Sequence, residues 1–204
     1  FGQLSAPEGT FSQISSGEMH TCAISDAGEL ECWGNDTYGQ ISDIPDTDFS
    51  QVSAGYAHTC AIDTEGELHC WGWNEYDQCT PPDGTFTQIS VGSSHSCGIE
   101  SDGSIQCWGG DEYGQSDAPE GSFVQITTGD AHSCAIDTEG ELHCWGINDG
   151  SNLDYGAVSD TPEGTFVRVH AGGYHNCALS TDGIIECWGN NSDNQCEPPS
   201  DFTP

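Results

Sequence analysis

The chain has 204 residues and carries 34 Asp and Glu against a single basic residue, Arg168, so its formal net charge is -33. This balance excludes nucleic acid as a partner, because phosphate binding needs clustered Lys and Arg, and it disfavours an anionic membrane surface. No apolar run approaches the ~18 residues of a membrane-spanning helix, so membrane insertion is not expected. The acidity fits a cationic partner, bound divalent cations, a salty habitat or solubility alone.

Five units of similar sequence run along the chain, and we treat residues 1–204 as one domain. They begin near Phe11, Phe49, Phe86, Phe123 and Phe166, at intervals of 38, 37, 37 and 43 residues. Each unit reads Phe, a β-prone run, Gly, His, Cys, a turn and Cys-Trp-Gly. Repeats of this length are typical of solenoids, propellers and related arrays.

Three antiparallel strands are predicted in each unit, as the third unit illustrates. Residues 86–91 alternate apolar and polar, the period of a half-buried strand. Residues 95–99 form a second strand and 104–108 a third, joined by a turn at 100–103 whose glycine suits a tight hairpin. The segment after Trp-Gly is rich in turn residues, so we expect loop there with at most one short outer strand.

The twelve cysteines include one pair in every unit, and each pair encloses nine residues. If Cys97 faces Cys107 across the hairpin, Ile99 faces Ile105, and both pairs lie on one face of the sheet. We therefore predict one disulfide per unit, because opposed strand residues come within disulfide distance. The pairs are Cys22–Cys32, Cys60–Cys70, Cys97–Cys107, Cys134–Cys144 and Cys177–Cys187. Such cysteine use indicates an oxidising compartment and an extracellular or cell-surface protein.

The fold class predicted from these features is all-β, a β-propeller of five blades, with an open solenoid of hairpins as the rival. One Trp ends the third strand of every unit, which indicates packing between blades. One His occupies the same register in every unit and is interpreted as structural, bonded to backbone; a ring of histidines around an axis is the alternative.

The repeated run Gly-x-x-His-Ser/Thr-Cys-Ala-Ile, followed by Asp-Gly and Cys-Trp-Gly, resembles the regulator of chromosome condensation repeat, and most of all a cysteine-bearing, secreted bacterial branch of that superfamily. The resemblance implies a propeller, commonly of seven blades, and relatives that act as exchange factors, enzyme inhibitors or adhesion modules. Phe1-Gly-Gln3 matches Tyr38-Gly-Gln40, the tail of a unit. We expect residues 1–10 to close a five-bladed ring and remove its exposed edges. The alternative is that the five repeats are part of a larger propeller.

Residues that occur once are the best candidates for binding, because a residue present in every unit is accounted for by the blade. Trp73 has no counterpart, and the fourth unit carries six extra residues within 147–157. The candidate binding residues are Trp73, Tyr76, Asn148, Asp149, Asn152, Asp154 and Tyr155. The alternatives are inert loop residues and neutral variation in loop length.

Other chemistry is weakly signalled. Asn35 and Asn190 begin glycosylation sequons. Cys79 and Cys196 fall outside the pairs and are interpreted as buried thiols, with a mutual disulfide or a bond to another chain as alternatives. No metal or cofactor site is predicted; the acidic turns lack the ligand series of a calcium loop, so calcium is only a weak alternative.

No nucleophile elbow, phosphate loop or zinc-protease motif is present, so we do not expect an enzyme. The function expected is a non-catalytic extracellular module for protein binding, adhesion or self-assembly, which presents loops on a rigid scaffold. A carbohydrate-binding propeller, which would bind a glycan, and a secreted hydrolase inhibitor are the alternatives, because fold alone does not separate them.

Overall fold

The computed structural model describes residues 2–151 and 153–197 and contains fifteen strands in that part of the chain. The first strands of the five units are β1 Phe11–Ser16, β4 Phe49–Ala54, β7 Phe86–Val91, β10 Phe123–Thr128 and β13 Phe166–Ala171. The second strands are β2 His20–Ser25, β5 His58–Asp63, β8 His95–Glu100, β11 His132–Asp137 and β14 His175–Ser180. The third strands are β3 Leu30–Gly34, β6 Leu68–Gly72, β9 Ile105–Gly109, β12 Leu142–Gly146 and β15 Ile185–Gly189.

Each unit is a separate antiparallel sheet whose strands follow chain order. The predicted register is confirmed: Cys97 pairs with Cys107 and Ile99 with Ile105, and the other four hairpins repeat this pairing. All five predicted disulfides are formed. Gly66 adopts a φ of 89° at the hairpin turn, a conformation that favours glycine. The described loops after the third strands contain no outer strand.

The sheets are arranged around an axis as blades. A cavity of about 430 Å³ is lined by the ends of all five first strands and by the turns that follow them, at residues 15–18, 54–56, 90–93, 127–130 and 170–173. One equivalent segment from every sheet therefore faces the same space. This radial order is that of a propeller, and the described part of the chain contains no helix long and apolar enough to cross a membrane.

The hydrophobic core lies between neighbouring blades. The second strand of the first blade contributes Cys22 and Ile24, which pack on Phe49, Val52 and Trp71 of the second blade. The same combination recurs at the three following interfaces. Four of the five repeated Trp residues therefore pack between blades, as predicted, and Trp33 of the first blade does not. The disulfides of the first four blades lie within or beside these clusters.

Polar ties between blades repeat as regularly as the apolar contacts. The side-chain oxygen of Gln13 accepts a hydrogen bond of 2.8 Å from the backbone N–H of Val52 in the next blade. The corresponding acceptors in the next three blades are Gln51, Gln88 and Gln125. In the fifth blade this position is Arg168, which has no acceptor on its side chain.

The repeated histidines form a second tie. Those of the first four blades are buried, and each Nε2 contacts the side chain of the next blade, at Thr59, Ser96, Ser133 and Asn176. The sequence-based interpretation of a structural His is supported, but its expected backbone partner is wrong. The partner is a hydroxyl or amide oxygen on the neighbouring blade.

The two outer faces of the array are more exposed than the internal ones. Ile14 in the first blade is 65% exposed, whereas Val52, Ile89, Ile126 and Val169 at the same position range from 0% to 5%. Residues 2–10 form no strand, and the Gln3 carbonyl accepts a hydrogen bond of 2.9 Å from the Trp33 indole. This segment thus packs on the first blade, and ring closure through it stays a prediction.

Candidate binding site on the loop face

Two sets of loops meet on one side of the propeller, which we call the loop face. One set precedes the second strands and the other follows the third strands. Backbone hydrogen bonds join the two sets of loops. The N–H of Trp73 donates to the carbonyl of Ala57, and the N–H of Ile147 donates to the carbonyl of Ala131, each at 2.9 Å. The strand register therefore brings both candidate regions to the same face.

An aromatic cluster surrounds Trp73 on this face. The Trp73 ring lies 5.4 Å from that of Tyr76, 6.1 Å from Tyr56 and 6.3 Å from Tyr38, measured between centroids. Trp73 itself is half-buried, and the three tyrosines remain 37% to 52% exposed. The cluster thus exposes aromatic surface, and the contacts between its own rings hold that surface in position.

A groove of about 300 Å³ runs beside this cluster. Trp73 and Tyr76 form one wall, and Leu153 and Tyr174 contribute apolar and aromatic surface from the fourth and fifth units. The remaining lining includes three acidic residues, Asp111, Glu112 and Asp130, together with small residues and Tyr113. No Lys or Arg lines the groove, because Arg168 lies on the outer face of the fifth blade.

Asp130 and Tyr174 form a polar pair at the groove. Burial raises the pKa of the Asp130 carboxyl above its usual range, and a hydrogen bond from Tyr174 opposes that rise. Burial and the nearby Asp130 charge together raise the pKa of the Tyr174 phenol. At neutral pH the phenol therefore keeps its proton, and the groove presents negative charge only from carboxylates.

The predicted site residues divide into three groups. Trp73 and Tyr76 line the groove directly, and Tyr155 stacks edge-on against Tyr174 at 5.6 Å. Asn148 and Asp149 are exposed but do not line the groove. Asp154 is structural, since its carboxylate accepts backbone hydrogen bonds from Gly150 and Gly156. Asn152 lies outside the described residues.

Fewer residues of the fourth-unit insertion are exposed than predicted. Its first and last residues, Ile147 and Ala157, are buried at 0% and 1% exposure. The Ala157 carbonyl accepts a hydrogen bond from the Trp188 indole at 3.0 Å, as the Gln40 carbonyl does from Trp71 at 3.1 Å. Tyr155-Gly-Ala therefore stands where the first and third units have Tyr-Gly-Gln and the second has Tyr76-Asp-Gln. Tyr155 and Tyr76 thus occupy one position of the repeat.

Several groove residues were missed by the sequence analysis. Leu153 was passed over in favour of its polar neighbours, although it is the insertion residue that lines the groove. Asp130 and Tyr174 of the groove, like Tyr56 of the aromatic cluster, lie in the two variable positions before the repeated His. Comparing those positions between units would have singled them out, because they change while the blade residues do not.

The two sequons differ in accessibility. Asn35 is 6% exposed, and its carboxamide oxygen accepts hydrogen bonds from the Thr37 N–H and the Gln40 amide. Asn190 is partly exposed. The folded chain therefore favours Asn190 over Asn35 as a glycan acceptor, and modification of either stays a prediction.

The two remaining cysteines are both free and half-buried. The Cys79 thiol donates to the Trp73 carbonyl at 3.2 Å, and the Cys196 thiol donates to the Asn190 carbonyl at 3.4 Å. Burial raises the pKa of Cys79 to about 12. The interpretation as separate thiols is supported, although neither is fully buried.

The solved structures that are similar to this chain include three longer proteins, and the chain spans 54% to 66% of their length. The ectodomain of the receptor kinase CR4 from Physcomitrella patens has 24% identity and a TM-score of 0.74, over 89% of this chain and 54% of that one. The CRINKLY WD40 ectodomain of the receptor kinase ACR4 from Arabidopsis thaliana has 27% identity and a TM-score of 0.71, over 88% and 66%. Prp20p from Saccharomyces cerevisiae, described with binding properties to Gsp1p and histones, has 20% identity and a TM-score of 0.74, over 94% and 60%.

No curated protein matches the sequence. The model of the regulator of chromosome condensation (RCC1) repeat, in contrast, matches five times, at residues 11–40, 49–78, 86–115, 123–152 and 166–195. These matches cover the three strands and the following loop of each blade. The chain therefore belongs to the RCC1 repeat family.

Proposed function

We propose that this protein is a non-catalytic extracellular binding module that uses the loop-face groove to hold a cationic side chain, Arg or Lys, of a partner protein. The observation that carries the proposal is Trp73, flanked by three tyrosines at 5.4 to 6.3 Å beside a groove that contains carboxylates and no basic residue. Cations bind to aromatic faces, most strongly to Trp, and carboxylates add charge complementarity.

The extracellular setting is supported by two facts. Five disulfides require an oxidising environment. Two of the similar solved structures are receptor ectodomains. Self-assembly through this surface is disfavoured, because the net charge of -33 makes two copies repel each other.

The test uses two short capped peptides that differ only in charge. One contains two arginines in a glycine background, and the other contains two citrullines, which keep the shape and lose the charge. We expect calorimetry to detect weak binding of the arginine peptide and none of the citrulline peptide. Added salt should weaken this binding, because screening acts on the exposed charges.

Two variants locate the site. Trp73→Ala should abolish binding while lowering the melting temperature little, since Trp73 lies in a loop outside the interblade core clusters. Glu112→Gln should weaken binding several-fold, and the matched control Glu163→Gln, which removes one exposed negative charge away from the groove, should not. Equal effects of both charge variants would show non-specific attraction and overturn the proposal.

Carbohydrate recognition is the other outcome to be distinguished, because aromatic rings beside carboxylates and amides also suit sugars. A glycan array would detect it. Binding of a neutral oligosaccharide that is lost in Trp73→Ala, with no binding of the arginine peptide, would replace the protein partner by a glycan.

A further inference from the structure

Two hairpins carry a trio of side chains that the other three hairpins lack. In the second blade the trio is Asp63, Glu67 and His69, and in the fourth it is Asp137, Glu141 and His143. One ligand atom from each member lies within 4.8 Å of the other two. Both trios lie on the hairpin side of their blades, and none of their residues lines the loop-face groove.

The aspartate of each trio is fixed by the hairpin turn. Oδ1 of Asp63 accepts backbone hydrogen bonds of 2.9 Å from both Glu65 and Glu67. Oδ1 of Asp137 accepts equivalent bonds of 3.0 and 2.8 Å. Because Oδ1 is held in this way, the second oxygen has one orientation, and it faces the histidine.

The histidine of each trio is held from two sides. Nε2 of His69 lies 2.9 Å from Oδ2 of Asp63, and Nε2 of His143 lies 2.8 Å from Oδ2 of Asp137. The imidazole rings stand perpendicular to the rings of Phe49 and Phe123, at 5.8 and 5.5 Å. Both imidazoles remain partly exposed, at 29% and 39% of the side chain, so an ion reaches them from solvent.

From this arrangement we infer that each trio is a binding site for a divalent first-row transition metal ion of the Zn²⁺ class. A metal ion bonds to N or O donors at about 2.0–2.2 Å, which places two tetrahedral donors about 3.4 Å apart. The Asp–His pairs, at 2.9 and 2.8 Å, are about half an ångström closer than that, so the two side chains move apart slightly when the ion binds. The exposed glutamate supplies a third donor, and water completes the coordination.

The chemistry selects the ion. An imidazole nitrogen beside two carboxylates suits Zn²⁺ and its neighbours, whereas Ca²⁺ takes six to eight oxygen donors. Before binding, Nε2 shares a proton with Asp Oδ2. When the metal bonds to Nε2, that proton moves to Nδ1 or to solvent, and no other covalent change is required.

The chain supplies its own control. At the same positions the third blade has Glu100, Ser104 and Gln106, and the Gln106 amide donates to the Glu100 carboxylate. Gln thus replaces His at this place in a folded blade. His69→Gln and His143→Gln are therefore expected to keep the hairpin while removing the metal donor.

The experiment is calorimetric titration of the oxidised protein with ZnCl₂ at neutral pH, in a background in which Cys79→Ser and Cys196→Ser remove the free thiols. We expect two ions per chain. His69→Gln and His143→Gln should each remove one site, and the double variant both. His170→Gln, a change at an exposed histidine outside the trios, should leave two sites. Excess CaCl₂ should not displace the zinc.

A second measurement uses only the wild-type protein, so its result does not depend on whether the variants fold. Traces of Cu²⁺ added to the wild-type protein should broaden the imidazole NMR signals of His69 and His143 before that of His170. Equal broadening of all three, binding that survives the double variant, or loss of a site in His170→Gln would overturn the proposal. Full competition by calcium would do so as well.

Discussion

Nε2 of His58 lies 3.0 Å from Oγ of Ser96, so a buried imidazole on one blade is joined to a buried hydroxyl on the next. Nδ1 of the same ring is also buried and has no hydrogen-bond partner among the described residues. The ring must therefore be neutral in the folded state. A second proton would be placed on a buried nitrogen that has no acceptor.

Acid should weaken the fold through these histidines. Burial lowers the pKa of His20 to about 4 and those of His58 and His95 to about 3, from 6.5. At a pH between the folded and the unfolded pKa of these histidines, the unfolded chain binds more protons than the folded one. The free energy of unfolding should therefore fall as pH decreases from 7 to 5, by up to about 1.4 kcal/mol per pH unit for each histidine below its unfolded pKa.

Denaturant titrations at pH 7, 6 and 5 measure this slope. The window stops at pH 5 because most carboxylates titrate below it, and their protonation would relieve repulsion and act in the opposite direction. His58→Gln should reduce the slope. Stability that is flat or rising from pH 7 to 5 would contradict the prediction.

The two tryptophans Trp71 and Trp33 occupy the same repeat position in different surroundings. Trp71 is 6% exposed between the first and second blades, whereas Trp33 is half-buried on the outer face of the first blade. Trp71→Ala should destabilise the protein by about 3–5 kcal/mol, as loss of a large buried aromatic does. Trp33→Ala should lower the free energy of unfolding by clearly less. Equilibrium unfolding of both variants measures the two losses. Equal losses would show that the outer face of the first blade is covered in solution.

The two free thiols should react slowly while the protein is folded. Mass spectrometry without reduction should show the five hairpin disulfides and two alkylatable cysteines. Burial raises the pKa of Cys79 to about 12 and also raises that of Cys196. Because the thiolate is the reactive form, iodoacetamide should label both slowly in the folded protein and quickly after unfolding. A disulfide between Cys79 and Cys196 would contradict this prediction.

Salt should raise the melting temperature. Ion pairs within the described ranges are limited to the two His–Asp contacts, so screening removes mostly repulsion from a chain of net charge -33. Calorimetric scans from low salt to about 1 M NaCl should show a continuous rise, because the Debye length shortens over this range. KCl should act equally. A flat or falling response to both salts would contradict the electrostatic explanation.

The fold was predictable from local patterns, and the site was predictable only in part. The facing of Ile99 and Ile105 follows from nine-residue cysteine spacing and the two-residue period of a strand. The binding potential of Trp73 followed from its occurring once. Its proximity to Leu153 could not be deduced, because the two are brought together by the order of blades around the axis and not by neighbouring sequence. The His–Ser96 tie was missed for the same reason: its partners lie 38 residues apart.

Arg168 has a consequence for how such an array is extended by duplication. Four blades offer the next one a glutamine oxygen, and the fifth offers a guanidinium, which only donates. If a copy of the second blade followed the fifth, the backbone N–H at the position of Val52 would face the Arg168 guanidinium, which is also a donor. The imidazole of His170 takes the place of the Ser or Thr hydroxyl that, in the other four blades, accepts a hydrogen bond from the next strand. The units are therefore alike in sequence but not interchangeable in order, because at this position the fifth blade presents a donor where the other four present an acceptor.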